Sequence, residues 1–184
     1  MQIDKYSGLI EAMLFYENEV INMKTFKEKT DLSEEKIKEI LNHLMEKYND
    51  PLHGISIIEV AEGYTFQIKK EIVADFKQMF QIKEKQKLSK TVMTVLSIIA
   101  YKQPITKMEV EDIRGVSSDN AVRLLLEKNL IEIVGRKEAL GKPLLYGTSK
   151  DFLKHFNLKS IDDLPQINEL KSDEFTLEMQ EEEE

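Results

Sequence analysis

Residues 88–148 read LSKTVMTVLSIIAYKQPITKMEVEDIRGVSSDNAVRLLLEKNLIEIVGRKEALGKPLLYGT. The first apolar residues of this stretch recur at three-and-four spacing, which predicts an amphipathic helix. Pro104 ends that helix, because proline has no N–H to donate and disfavours the α conformation in the residue before it. Thr106 and Glu109 form the pattern of a capping box, so a second short helix is expected to begin there. Ser118 can cap a third helix.

A β-hairpin is expected after the third helix. Residues 131–136 and 144–148 have the composition of short strands, and the loop between them contains Gly141 and Pro143, which are typical of turns. Three helices followed by a hairpin are the order of elements in a winged helix. The stretch therefore predicts one winged-helix domain.

The first half of the chain repeats this plan about 85 positions earlier. Tyr16 aligns with Tyr101, and Ser33 aligns with Ser118, without a gap up to the third helix. A repeated pattern of this kind predicts tandem modules rather than one large domain. The predicted fold class is therefore α+β: mainly α with small β-hairpins, arranged as two tandem winged helices.

Four segments are expected along the chain. They are an N-terminal winged-helix domain at 1–82, a polar linker at 83–87, a C-terminal winged-helix domain at 88–166 and an acidic tail at 167–184. The tail has few apolar residues and dense like charge, which is typical of disorder. Apolar residues at helical spacing predict a helix that closes the first domain before the linker: Ile72, Phe76, Met79 and Phe80.

The composition argues against several classes of protein. The net charge of −8 belongs almost wholly to the tail, where eight acids and one lysine sum to −7. Residues 1–82 sum to −5 (10 basic, 15 acidic) and residues 88–165 sum to +2 (12 basic, 10 acidic), so neither half has the pI above ~9 expected of a dedicated nucleic-acid-binding domain. Without cysteine there is no disulfide framework or thiolate metal site. No apolar run approaches the ~20 residues of a membrane span and no signal-peptide pattern is seen, so we expect a cytoplasmic protein with no membrane partner.

No pattern of catalytic or cofactor-binding residues is found. The three histidines lie far apart and belong to no spaced ligand set. The loop from Gly135 to Lys142 is superficially like a phosphate-binding loop. However, it holds one residue too many, and Pro143 stands where such a loop needs a hydroxyl ligand for magnesium. We therefore expect no enzyme activity, no metal and no cofactor.

Nucleic acid and protein remain as alternative partners. Basic residues on the third helix and the hairpin of the second domain favour DNA: Arg123, Lys128, Arg136, Lys137 and Lys142. Acids interleave with them and oppose phosphate contact, so a solvated face of mixed charge is the favoured interpretation. The turn at Tyr101, Pro104 and Ile105 is a candidate apolar ledge for protein–protein contact, although Ile105 is expected to be core.

An ordered set of motifs in this chain resembles the segregation and condensation protein B family. The motifs are IIAYKQPIT at 98–106, IRGV at 113–116, GR at 135–136, GKP at 141–143, LYGT at 145–148, FL at 152–153 and DLP at 163–165. The resemblance covers about residues 1 to 167. Lys142 stands where an arginine is expected, which keeps the charge but loses the planar fork.

This resemblance implies a non-catalytic subunit of the bacterial SMC–kleisin condensin complex, which supports chromosome condensation and segregation. It implies a homodimer, formed mainly by the first domain, that binds the kleisin subunit ScpA largely through the second. The SMC ATPase would be reached through the kleisin, direct DNA binding would be weak at most, and the protein would lie in the cytoplasm at the nucleoid. The alternative is a winged-helix transcription regulator that binds DNA.

Candidate contact residues follow from these expectations. The candidates for partner binding are Tyr101, Lys102, Gln103, Pro104, Arg114 and Arg136. For dimerisation the candidates are Phe15 and Phe26, because we expect a small module not to bury all of its large apolar side chains.

Overall fold

The computed structural model describes residues 5–82 and 88–165, and these two parts have the same topology. The elements of the first are α1 (Lys5–Glu17), β1 (Ile21–Asn22), α2 (Met23–Thr30), α3 (Glu34–Asn49), β2 (Ile55–Val60), β3 (Gly63–Ile68) and α4 (Lys70–Met79). The strands form an antiparallel sheet in the order β1-β3-β2. Three helices and the β2-β3 hairpin give the predicted winged-helix order.

The second part repeats this arrangement. Its elements are α5 (Lys90–Lys102), β4 (Ile105–Thr106), α6 (Lys107–Arg114), α7 (Asp119–Glu127), β5 (Ile131–Arg136), β6 (Leu144–Thr148), α8 (Lys150–Phe156) and a 3-10 turn (Ile161–Asp163). The sheet order β4-β6-β5 is equivalent to that of the first domain, so the predicted fold class is confirmed. Strand β4 was not predicted, because two residues are too few to show a period.

Two predicted segments, the linker at 83–87 and the acidic tail at 167–184, lie outside the described residues.

Several helices begin directly after a residue whose side chain accepts a hydrogen bond from a free backbone N–H group of the first turn. Ser33 caps α3 by accepting a hydrogen bond from the backbone N–H three residues on (3.3 Å). Thr106 and Glu109 form the predicted capping box of α6. Helix α8 is capped by Ser149, whose hydroxyl accepts a hydrogen bond from the backbone N–H of Phe152 (3.2 Å). Local signals thus set most helix starts to within one residue.

The turn between α6 and α7 is held differently from the prediction. Ser118 makes no side-chain cap to α7. It is buried, and its Oγ instead accepts a hydrogen bond from Arg114 Nη1 (2.7 Å). Its backbone N–H donates to Glu111 Oε1 (2.9 Å). Contacts from the preceding helix therefore replace the local cap.

The core of the first domain lies between α1, α2, α3 and the sheet. Its fully enclosed side chains are Ile10, Leu14, Phe26, Ile37, Leu41 and Leu44. Phe26 has no exposed surface, so the expectation that it stays accessible for a dimer contact is wrong. Helix α2 follows β1 directly, which places the Phe26 ring against Tyr64 of β3, with 6.4 Å between the ring centroids.

Helix α4 forms as predicted but does not close the core of its domain. None of its residues is buried, and Ile72, Met79 and the following Phe80 are exposed. The aromatic rings of Phe76 and Phe80 contact each other, with centroids 4.5 Å apart. The apolar period was predicted correctly, but only the tertiary arrangement decides whether such a face is covered.

The core of the second domain includes two residues from the first. Its fully enclosed side chains are Val95, Leu96, Ile99, Val110 and Leu125. Ile105 is buried, as expected. Val60 and Ala61, at the tip of the β2-β3 hairpin, belong to the same cluster. The two domains are therefore joined by a packed contact as well as by the chain.

Candidate functional site

An open apolar groove lies beside the turn between α5 and β4. It has a volume of about 330 Å3 and is lined by Gln103, Pro104, Val134, Leu145 and Gly147. Leu145 and Gly147 are two residues apart on β6 and so share one face of the strand. The pairing register of β5 with β6 shifts at Val134, where the extra residue of a β-bulge contributes to the groove. The groove is therefore built from three elements of the second domain.

Gln103 is fixed in this groove by three hydrogen bonds. Its Oε1 accepts from the backbone N–H (2.5 Å) and the hydroxyl (3.1 Å) of Thr148, and its Nε2 donates to the carbonyl of Ala100 (3.3 Å). A Cβ on Gly147 would lie 2.9 Å from that Oε1, so only glycine leaves room for the amide. Gln103 thus ties the end of α5 to β6 and positions Pro104.

Tyr101 and Lys102 lie at the end of α5, next to Gln103 in the chain. Tyr101 is half-buried, and its hydroxyl donates to the carbonyl of Pro165 (2.7 Å), just after the 3-10 turn. Lys102 is exposed, and its ammonium has no hydrogen-bond or ion-pair partner within residues 5–82 and 88–165. Of the four consecutive candidates at 101–104, Gln103 and Pro104 therefore line the groove, and Tyr101 and Lys102 precede them at the end of α5.

The two candidate arginines are the last residues of α6 and β5, and both lie outside the groove. Arg114 Nη1 donates to the carbonyl of Ser117 (3.1 Å) and to the hydroxyl of Ser118 (2.7 Å), which closes the α6–α7 turn. Arg136 Nη1 donates to the carbonyl of Lys142 (3.2 Å) across the β5-β6 loop. Both guanidinium groups stabilise loop backbone, and neither lines the groove.

Sequence reasoning missed three residues of the groove. Leu145 and Gly147 belong to the LYGT motif, and their spacing of two was the available signal that they share a face. Val134 carried no such signal, because a bulge depends on how two strands pair and not on local residue type.

Two of the five cations that favoured DNA binding are paired with acids. Arg123 Nε lies 3.8 Å from Glu127 Oε1, and Lys137 Nζ lies 2.6 Å from Glu109 Oε1. The bond from Lys137, with those from Thr106, lowers the pKa of Glu109 to about 2. On α3 two lysines pair with glutamates at 2.9 and 2.8 Å. The face is of mixed charge, as the interleaved sequence indicated.

A second open groove lies on the first domain. It has a volume of about 320 Å3 and is lined by Gly8, Glu11, Ala12, Phe15, Tyr48, Ile55 and Phe66. Burial and a hydrogen bond to Glu11 raise the pKa of Tyr48 to about 12. Burial would raise the pKa of Glu11, but the bonds from Tyr48 and Lys47 (3.0 Å) lower it overall. Phe15 is 79% exposed here and, unlike Phe26, is accessible to another chain.

No group of three His, Asp or Glu side chains in the described parts of the chain lies close enough together to hold a metal ion. No helix of those parts is long and apolar enough to cross a membrane.

Known proteins resemble this chain along most of its length. The family model described as segregation and condensation complex subunit ScpB matches residues 8–167. A segregation and condensation protein B of Clostridium tetani is 39% identical over 166 residues, which cover 90% of this chain and 88% of that protein. The protein of the same description from Acetivibrio thermocellus is 42% identical over 166 residues, covering 90% and 84%.

Solved structures are also similar. ScpB from Mycobacterium tuberculosis is 22% identical with a TM-score of 0.40, covering 86% of this chain and 99% of that one. A dimer of the ScpB N-terminal domain complexed with ScpA peptide is 18% identical with a TM-score of 0.41, covering 45% and 99%.

Proposed function

The chain belongs to the segregation and condensation complex subunit ScpB family, and on that premise we propose that it is a non-catalytic subunit of the bacterial SMC–kleisin condensin complex. It binds the kleisin ScpA through its second domain and forms a homodimer through its first. It reaches the SMC ATPase through the kleisin. Its role is in chromosome condensation and segregation, in the cytoplasm at the nucleoid.

The observation that carries this proposal is the groove beside Pro104. Its walls are mainly apolar and open to solvent, and Val134 is 51% exposed. Burial of apolar surface is the main favourable term in protein association, and a concave apolar site suits a large side chain of a partner polypeptide. A groove of about 330 Å3 is large enough for a leucine or phenylalanine side chain. We therefore assign it to an apolar anchor of the kleisin.

The edge of the groove supplies the other elements of a protein-binding surface. Tyr101 offers part of an aromatic ring, and Lys102 offers an exposed ammonium that pairs with no acid in the described residues. Aromatic residues near the centre of an interface often carry much of the binding free energy, and charges at its rim add specificity. The motif at 101–104 is thus suited to recognise an apolar residue flanked by acids.

Calorimetry of the full chain against a central fragment of ScpA tests this assignment. Val134→Glu places a carboxylate in the groove and should weaken binding at least about tenfold, or ~1.4 kcal/mol. Ile133→Glu is the matched control, because Ile133 is the neighbour on β5, is also 51% exposed and does not line the groove. The control should bind within about twofold of the parent. Equal loss in both variants, or in neither, would place the contact elsewhere.

The same titration with duplex DNA tests the alternative of a winged-helix transcription regulator. Because Arg123 and Lys137 already pair with acids, we expect weak binding that falls steeply with salt. If the parent binds duplex DNA tightly at physiological salt and does not bind the ScpA fragment, the condensin assignment fails.

For the homodimer we propose the groove around Phe15 as part of the interface. A two-fold interface uses the same patch on both subunits. The exposed Phe15 ring of one subunit can therefore pack in the apolar groove of the other, and the same contact is made in reverse. Light scattering of the full chain should give twice 21.4 kDa. Phe15→Glu should give the monomer mass, whereas Leu52→Glu, at another exposed apolar residue, should leave the dimer intact. A dimer that survives Phe15→Glu would contradict this placement.

A further inference from the structure

The tip of the β2-β3 hairpin contacts the chain that leaves α8. The backbone N–H of Ala61 donates to the carbonyl of Leu158 (2.9 Å), and that of Glu62 donates to the carbonyl of Lys159 (2.8 Å). We propose that this tip is an interdomain latch: it holds the two winged helices in one fixed orientation. The kleisin groove then keeps a constant position relative to the first domain.

Side-chain packing supports the backbone contact. Val60 is 2% exposed and Ala61 is 3% exposed, and both lie within the apolar cluster of the second domain. Val20 and Ile58 of the first domain also pack on that cluster. In an isolated winged helix, residues at the hairpin tip are normally exposed. The burial of Val60 and Ala61 therefore comes from the second domain. The latch is therefore apolar at its centre and hydrogen-bonded at its edge.

The turn between β2 and β3 holds two residues other than glycine in the left-handed backbone conformation. Ala61 and Glu62 both have positive φ, at 48° and 60°. A two-residue hairpin turn of this kind normally uses asparagine, aspartate or glycine, because other side chains adopt the left-handed region at a cost. Alanine at position 61 keeps a methyl group that packs in the second domain, whereas a polar side chain there would be buried without a partner.

The other side of the latch is a short strap, residues 157–165. Lys159 Nζ lies 2.8 Å from Glu59 Oε2, and the backbone N–H groups of Lys159 and Ser160 donate to Asp163 Oδ2 at 2.9 Å. At its far end the carbonyl of Pro165 accepts the hydroxyl of Tyr101. The strap thus runs from the hairpin tip of the first domain to the partner surface of the second.

A distance measurement between the domains tests the latch. The chain contains no cysteine, so Lys29→Cys in α2 and Lys128→Cys after α7 give two unique sites for spin labels. Labelled chain is diluted with unlabelled chain to remove distances between subunits. Pulsed electron paramagnetic resonance should give one narrow distance distribution in the parent background.

Two substitutions at position 61 distinguish the effect of the interdomain contact from the effect of the turn conformation. Ala61→Asn suits the left-handed conformation but buries an amide, so it should at least double the width of the distribution. Ala61→Gly also suits the turn and adds no polar group, so it should leave a narrow peak. If circular dichroism shows that Ala61→Asn does not fold, Lys159→Glu is measured instead. This substitution replaces the ion pair with Glu59, on the exposed side of the contact, by repulsion between two carboxylates, and it should also broaden the distribution.

A broad distance distribution in the parent would overturn the latch. The latch would also be overturned if folded Ala61→Asn or Lys159→Glu kept the narrow distribution of the parent. The measurement uses no kleisin, so its failure is distinguishable from failure of the proposed function.

Discussion

Replacing Tyr101 distinguishes what its ring does from what its hydroxyl does. Tyr101→Phe removes only the hydrogen bond to the carbonyl of Pro165 (2.7 Å). This contact lies at an exposed site, where water can replace the lost donor, so the free energy of unfolding should fall by no more than about 0.5–1.5 kcal/mol. Tyr101→Ala also removes the half-buried ring. Loss of an interfacial aromatic weakens binding by about 1–3 kcal/mol, which is roughly 5- to 150-fold in Kd.

Isothermal titration calorimetry of both variants against the ScpA fragment measures these effects, with circular dichroism to confirm folding. Tyr101→Phe should bind within about threefold of the parent, and Tyr101→Ala should lose roughly 5- to 150-fold. An equal loss in both variants would assign the effect to the hydroxyl and the strap that it holds. If folded Tyr101→Ala binds as tightly as the parent, the placement of the kleisin contact at this turn is refuted.

Three further predictions concern stability. Gly63→Ala should lower the free energy of unfolding by about 2–3 kcal/mol, because the added methyl group would lie 2.5 Å from a carbonyl oxygen of β1. Denaturant titrations measure this change. Gly135→Ala is the control, since the nearest atom to its added methyl group would be 4.0 Å away. The bond from Lys137 and the capping-box bonds lower the pKa of Glu109 from 4.5 to about 2, so this carboxylate stabilises the fold above pH 4.5. That contribution is lost as the pH falls toward 2, and acid titration of Glu109→Gln should lack it. Truncation after Gln166 should leave the Tm within about 2 °C in scanning calorimetry, because the removed residues offer little apolar surface; a large drop would show that they pack on the body.

The proposed partner surface was only partly accessible to sequence reasoning. The turn at 101–104 stood out because Pro104 interrupts a strongly periodic helix, and the structure places two of these four residues, Gln103 and Pro104, in the groove. The groove itself needed strand β6 to lie against that turn and a bulge at Val134 to complete one wall. Arg114 and Arg136 show the converse: their charge suggested contact with a partner, but their hydrogen bonds go to nearby loops.

Order and type of the helices and of the hairpin strands were determined by the sequence itself. Capping residues such as Ser33 and Thr106, breakers such as Pro104 and the apolar period act within a few residues, so they retain their meaning without tertiary context. The repeat of one pattern also determined that the chain would fold as two similar domains.

Which apolar residues are covered was decided only by the tertiary structure. Phe15 and Phe26 have the same side chain in neighbouring helices, yet one is 79% exposed and the other has no exposed surface. Helix α4 presents its apolar face to solvent, whereas Ala61, in a hairpin turn, is buried by the other domain. The reason is physical: a periodic pattern specifies a face within one element, but burial depends on atoms supplied from distant parts of the chain.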